Sequence, residues 1–335
     1  MRQFVLGLLA LVLASILATD ATAGFLTFAQ AFGSLGTGNG QFQTPTGVAV
    51  TSSGRVWVAD SNGRRIEEFD SAGTFQQAIG FAAGRQLVPT NLAVDASGDV
   101  WVSDTGNSRV LEFNSAGIFV SAIAAGLLNG PEGIGLDGAG NVWIAEFGNN
   151  RIWEFTTAGV FERIIGGYGT GNGQFLGPAG VSVDRSGNIW VADRGNNRVQ
   201  EFNNSGVFLQ SVGSAGSGNG QFIVPTGITV DSSGSLWVAD TGNDRIQEFS
   251  NTGGFLRSVG SAGSGNGQFG APFGVTVDSS GNLWVADTGN HRIQEFTQVS
   301  GPGTVPEPST LAMCSIGLGL LVVRRLHRSK PFMRS

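Results

Sequence analysis

Along most of this chain, short apolar runs alternate with breaks rich in Gly, Asn, Asp and Ser. Residues 225–271 show one full unit. Pro225-Thr226-Gly227 opens the apolar strand Ile228-Thr229-Val230. Asp231-Ser232-Ser233-Gly234 is turn chemistry, in which an acid or hydroxyl caps the turn and Gly takes a positive φ. Ser235–Asp240 reads as a second strand, and Thr241-Gly242-Asn243-Asp244 as a four-residue hairpin loop. Arg245–Phe249 is a third strand. Asn251-Thr252-Gly253 turns again into a fourth, Phe255–Val259, and Gly260–Phe269 connects to the next unit. The runs are too short for helices and carry β-branched and aromatic residues, so the pattern predicts hairpin-linked antiparallel strands.

The unit recurs. A Trp-Val/Ile-Ala/Ser-Asp/Glu tetrad starts at Trp57, Trp101, Trp143, Trp190, Trp237 and Trp284, with steps of 44, 42, 47, 47 and 47 residues. A fixed period of this size marks a repeat architecture. One four-stranded sheet cannot bury both faces alone. Six stacked radially can, which predicts an all-β, six-bladed β-propeller. The last unit stops after Arg292–Gln298 without a fourth strand. Phe28–Gly33 lies where Phe255–Gly260 lies in its unit, so the N-terminal strand is expected to complete the last blade and close the ring.

Composition narrows the function. The chain has 335 residues, 54 Gly, one Cys (Cys314) and two His (His291 and His327). A single Cys excludes an intrachain disulfide, a Cys-based zinc site and a RING domain. Residues 24–307 hold 24 Asp and Glu against 13 Arg and no Lys. An acidic body argues against a nucleic-acid partner, whose phosphates need a positive surface.

The two ends read as addresses. Residues 1–23 have a positive Arg2, the apolar run Phe4–Leu17 and the small-x-small Ala21-Thr22-Ala23, the order of a cleaved signal peptide. Residues 24–300 are expected to form the propeller. In 301–335, Pro306-Glu307-Pro308 precedes the apolar run Leu311–Val323 and a basic stop with Arg324 and Arg325. This order resembles the PEP-CTERM sorting signal of Gram-negative bacteria. The resemblance implies a short transmembrane helix with transient membrane association, and processing by an exosortase-type enzyme near Pro306-Glu307-Pro308. It also implies delivery to the cell surface or the extracellular matrix.

The strings Gly-Asn-Gly-Gln-Phe-x-x-Pro-x-Gly and Asp-x-Ser-Gly-x-x-Trp-Val-Ala-Asp-Thr-Gly-Asn-x-Arg-Ile-x-Glu-Phe resemble NHL repeats over residues 28–298. Two connectors depart: Gly80–Leu87 lacks Gly-Asn-Gly-Gln-Phe, and Gly126–Asn129 is short. NHL-like propellers include binding modules and also lyases or lactonases with a channel metal, so the resemblance leaves function open.

The tetrad carboxylates look catalytic, yet each has an Arg five residues on: Asp60/Arg65, Asp104/Arg109, Glu146/Arg151, Asp193/Arg198, Asp240/Arg245 and Asp287/Arg292. The spacing places each pair across a hairpin. The expected role is a clasp in which the carboxylate also takes N–H groups of the Thr-Gly-Asn turn. The Asp-x-Ser-Gly turns lack the alternating ligands of a calcium loop, and the Gly-x-Gly strings lack a P-loop Lys. No catalytic residue, metal ligand or cofactor is assigned; calcium or zinc enters only under the lyase or lactonase alternative.

Positions where the repeats disagree are the better functional signal. Arg64, Arg85, Phe147, Tyr168, Arg194 and His291 fall on the face shared by the connectors and the second-to-third-strand loops. Aromatic and Arg side chains favour recognition, so they form the candidate binding face for a protein or polysaccharide ligand. Trp153 is expected to pack.

Overall fold

The computed structural model describes residues 25–299. The compact unit, Leu26–Thr297, is a ring of six four-stranded antiparallel sheets. Blade 1 comprises Pro45–Val50, Val56–Asp60, Arg65–Phe69 and Phe75–Ile79. Blade 2 follows with Asn91–Val94, Val100–Asp104, Arg109–Phe113 and Phe119–Ile123. Blade 3 has Pro131–Leu136, Asn141–Glu146, Arg151–Thr156 and Phe161–Ile165. Blade 4 has Pro178–Val183, Ile189–Asp193, Arg198–Phe202 and Phe208–Val212. Blade 5 has Pro225–Val230, Leu236–Asp240, Arg245–Phe249 and Phe255–Val259. Blade 6 takes Val275–Val277, Leu283–Asp287 and Arg292–Val299 from the C-terminal end and Phe25–Phe32 from the N-terminal end.

The closing strand is held by more than its ladder. Gln30 Nε2 donates to Glu295 in its own blade and to the Ser71 carbonyl of blade 1, both at 2.7 Å. Leu26 and Phe28 pack on the blade 5–blade 6 core, and Phe32 on the blade 6–blade 1 core. A second seam lies on the loop face, where His291 Nδ1 donates to the Gln43 carbonyl at 2.8 Å.

The core is shared between blades. All six tetrad Trp side chains are buried, each in a cluster that joins one blade to its neighbour. In blades 3 to 6 the indole N–H also caps the first turn, donating to Asp137, Asp184, Asp231 or Asp278 at 3.0–3.4 Å. The innermost strands pack so closely that the Gly of Pro-x-Gly has no room for a Cβ. A Cβ on Gly227 would lie 2.3 Å from the Phe273 carbonyl oxygen, and one on Gly274 would lie 2.5 Å from that of Thr46, across the ring closure. These strands surround a central channel of about 240 Å³, lined largely by Val, Ala, Leu and Ile with Ser182, Thr229 and Thr276 among them.

One element escaped the sequence reading. The connector at 80–87 forms a two-stranded hairpin, Phe81–Ala82 and Arg85–Gln86, turned at Ala83 and Gly84, which both have positive φ. Among the described residues no helix is long and apolar enough to cross a membrane. The signal peptide and the Pro306–Arg325 sorting segment, with its expected transmembrane helix, lie outside the described residues.

Candidate functional site

The carboxylate ring is the first candidate, and blade 5 shows its geometry. The Asp240 carboxylate is fully buried. It accepts Arg245 Nε at 2.8 Å, Gln247 Nε2 at 3.0 Å, Asn243 Nδ2 at 2.9 Å and the Ile223 backbone N–H at 2.8 Å. Arg245 Nη2 continues to the carbonyls of Gly218 and Gln221 in the connector, at 2.6 and 3.0 Å. The acid therefore ties its hairpin to the incoming connector. One expected donor, the Gly N–H of the Thr-Gly-Asn turn, is otherwise engaged. Gly242 N–H donates to Ile223 and Asp244 N–H closes the turn on Thr241, so the Asn side chain and the connector supply the carboxylate instead.

The same Nε-to-carboxylate contact holds in Asp104/Arg109 (2.7 Å), Glu146/Arg151 (2.5 Å), Asp193/Arg198 (2.8 Å) and Asp287/Arg292 (2.7 Å). In blade 1 the pair is kept as a longer ion pair. Arg65 Nε lies 3.8 Å from Asp60 and 2.5 Å from Glu67. Glu67 stands where blades 4 to 6 carry Gln200, Gln247 and Gln294, and its charge draws the guanidinium away. Burial is the main reason the Glu67 pKa is raised, and the nearby Asp60 adds to it. Asp60 keeps the N–H groups of Gln43 and Thr44, at 3.0 and 2.7 Å.

Blade 3 reaches the regular geometry with different residues. Glu146 replaces Asp, and Trp153 takes the Gln position, donating its indole N–H to Glu146 at 2.6 Å. Trp153 also carries the Arg151 guanidinium 4.6 Å above its ring, so it does more than pack. Burial alone would raise the Glu146 pKa, but bonds from Arg151, Trp153, the Asn129 N–H and Asn149 together hold it low.

The second candidate is the loop face at the blade 3–blade 4 seam. In three blades the residue after the tetrad is a Thr whose hydroxyl donates to a Pro carbonyl of the next blade: Thr105 to Pro131, Thr241 to Pro272 and Thr288 to Pro45. Phe147 and Arg194 occupy that position in blades 3 and 4. The structure brings them together, with the Arg194 guanidinium 5.4 Å from the Phe147 ring centroid. Phe147 sits against Gly177, where a Cβ would fall 2.6 Å from the ring. Arg194 also approaches Glu132, Nη1 to Oε1 at 3.8 Å.

Sequence reasoning missed Glu132. It follows Pro131 where blades 1, 2 and 5 have Thr46, Thr90 and Thr226 after their Pro. That third departure from the repeat was the available signal. Its side chain is 16% exposed, and its Oε2 is buried with no hydrogen-bond partner. Burial pushes its pKa up to about 7 against the opposing pull of Arg194. A recess of about 460 Å³ opens beside Phe147 and Arg194, walled by these two, Asn150, Leu176 and Val224 with glycine backbone between them; Glu132 does not line it.

The remaining candidates on this face stand at other stations. Arg64 reaches Gln86 on the extra hairpin at 3.3 Å, and that hairpin carries Arg85. Tyr168 is 73% exposed on the connector before blade 4. His291 serves the ring seam. Among the described residues no group of three or more His, Cys, Asp or Glu is placed to hold a metal ion.

Six segments match the NHL repeat: 42–69, 87–113, 128–155, 175–202, 222–249 and 269–296. Residues 304–329 match the PEP-CTERM protein-sorting motif. The chain belongs to the NHL-repeat β-propellers, and its C-terminal motif marks export and cell-surface targeting by exosortase-type machinery. Over 45 residues it is 49% identical to the B-box type zinc finger protein ncl-1 of Caenorhabditis elegans, a match covering 13% of this chain and 5% of that protein. In fold it is similar to virginiamycin B lyase of Staphylococcus aureus (TM-score 0.59, 18% identity, 82% of this chain and 100% of that one). A gluconolactonase of Xanthomonas campestris is also similar (TM-score 0.60, 16% identity, 84% and 99%). At these identities the likeness concerns the fold alone.

Proposed function

We propose that this protein is an exported binding module, held at the cell surface or in the extracellular matrix, that engages a protein or polysaccharide through its loop face. One observation carries the reading. The buried tetrad carboxylates are taken up by Arg, Asn, Gln or Trp and by connector N–H groups, while two departures from the repeat, Phe147 and Arg194, meet at an open recess. Groups that hold the ring together are not available to a substrate. Groups that the ring does not need are free to recognise a partner.

The fold of the lyase and lactonase neighbours motivates a second reading, a propeller enzyme with a divalent metal in its channel. The two readings separate in one experiment on the purified chain. Binding is followed against washed surface and matrix material of the producing cells, and melting is followed during calcium and zinc titration. The binding reading expects saturable capture that needs no added metal. Metal-dependent stabilisation together with turnover of a lactone or a streptogramin would overturn it.

A further inference from the structure

We propose that this chain associates head to tail with copies of itself, the hairpin Phe81–Gln86 on the loop face of one copy docking into a cleft at the blade 3–blade 4 seam on the opposite face of the next. The inference goes beyond the binding reading and does not depend on it.

The hairpin is an anchored knob that stands where blades 1, 4, 5 and 6 have a Gly-rich connector. Its base is fixed. Ala82 and Leu87 are buried in the blade 1–blade 2 core, Arg109 Nη2 donates to the Ala82 carbonyl at 3.0 Å, and Asn107 Nδ2 to the Gln86 carbonyl at 2.7 Å. Its tip stands in solvent: a Cβ on Gly84 would meet nothing within 4 Å, and Phe81 is 66% exposed. Beside it, Arg64 holds a left-handed station, φ 57°, where Asn150, Asn197 and Asp244 each accept a backbone N–H from the next blade at 2.7–2.8 Å. Arg64 instead reaches Gln86 on the hairpin, at 3.3 Å. Of the 13 Arg among the described residues, Arg64, Arg85 and Arg185 have no ion-pair partner. Two of those three meet at this hairpin.

The opposite face carries the turns between first and second strands. At the blade 3–blade 4 seam it opens into a cleft of about 720 Å³, lined by Asp137, Asp184, Trp143 and the Glu154–Arg163 ion pair among others, a volume that suits an inserted group. Asp137 and Asp184 cap their turns through backbone N–H groups at 2.8–2.9 Å and have no ion-pair partner among the described residues. Burial alone would raise the Asp137 pKa, but bonds from the Asn141 and Ala139 N–H groups, the Asn141 amide and the Trp143 indole hold it low. The cleft is roomy through a departure from the repeat. Gly138 and Ala139 stand where blades 5 and 6 carry Ser232-Ser233 and Ser279-Ser280, and a Cβ on Gly138 would meet nothing within 4 Å. A protruding knob with an aromatic ring and two unpaired guanidinium groups complements a concave site with two unpaired carboxylates. Arg185, which also lines the cleft, is the unpaired charge set against this match. The two patches lie on opposite faces, so the contact is heterologous: a copy that has given its hairpin keeps its cleft free, and the assembly extends by addition.

Sedimentation velocity of the purified full chain, at concentrations up to about 1 mM, tests the contact with two variants. Arg64→Asn with Arg85→Thr removes the hairpin charges and gives position 64 the residue type of Asn150 and Asn197. Gly138→Arg places a like charge in the open space of the cleft. The parent should grow past the dimer as concentration rises. Each variant alone should associate about tenfold more weakly or not at all, with melting curves like the parent's. An equimolar mixture of the two should stop at a 1:1 dimer, because one native hairpin then meets one native cleft. Arg185→Ser, which restores the residue type of Ser232 and Ser279, should tighten the association of the parent. The proposal is overturned if the parent stays monomeric, if either variant associates as the parent does, if the mixture forms no dimer, or if Arg185→Ser weakens association. The test uses this chain alone, so its failure leaves the binding reading, which concerns capture of another molecule, standing.

Discussion

Blades 3 and 5 are built on the same four-stranded plan, and they differ in an instructive way. At the clasp their residues diverge but the geometry does not. Glu146, Asn149, Arg151 and Trp153 hold the hairpin and connector of blade 3 as Asp240, Asn243, Arg245 and Gln247 hold those of blade 5. At the channel mouth the divergence changes the chemistry. Thr226 and Thr241 form a closed hydroxyl link in blade 5, whereas Glu132 and Phe147 leave an orphan carboxylate oxygen and an exposed ring in blade 3. At the clasp of blade 3 the substituted residues restore the bonds. Positions free of that duty have acquired groups the ring does not use.

The comparison can be broken most severely at the closure. Deleting residues 24–33 removes the fourth strand of blade 6, its Gln30 bonds and the packing of Leu26, Phe28 and Phe32. Three partly buried apolar side chains go at once, each worth up to roughly 1.5 kcal/mol, together with a strand ladder, so the melting temperature should fall sharply. An unchanged melting curve would contradict a latched ring.

The clasp gives the next largest effect. Asp240→Ala strands Arg245, Gln247 and Asn243 around an empty acceptor, and removing one partner of a buried ion pair costs about 3–5 kcal/mol. Asp60→Ala should cost less, because Arg65 keeps Glu67 at 2.5 Å. Urea unfolding of both variants reads the difference directly; equal losses would mean that the Glu67 contact does not substitute.

A smaller, pH-dependent effect tests Glu132. Its pKa is raised from 4.5 to about 7 in the folded protein. Between those values the folded state holds a proton that the unfolded state has lost, so this group subtracts stability as pH rises through that window. Glu132→Gln mimics the protonated acid. It should match the parent below about pH 4.5 and exceed it by up to roughly 3 kcal/mol above about pH 7. A gap independent of pH would show that Glu132 is not the buried, weakly paired acid described.

Blade number, strand order and ring closure were legible because a pattern of Trp, Pro and Gly recurring every 42 to 47 residues repeats the packing of one unit along the chain. The acid–Arg pairing was legible from spacing alone. Its further donors were not, since the Ile223 N–H lies 17 residues from Asp240 and arrives through the fold. Blade 1 escaped because a single Gln-to-Glu change moves Arg65 by charge, which a motif does not express. Phe147 and Arg194 were visible as repeat departures, but their meeting across a blade seam was not. Glu132 was hidden by a Pro-x-Gly frame that drew attention to its glycine, whose role is close approach.

The most direct measurement of the central claim uses one chain carrying Glu132→Thr, Phe147→Thr and Arg194→Thr together. Its melting temperature and its capture on the cells' surface and matrix material are compared with those of the parent. The account predicts a melting temperature no more than a few degrees below that of the parent and loss of most of the capture. Capture at the parent level in the triply substituted chain would place recognition elsewhere on the molecule and contradict it.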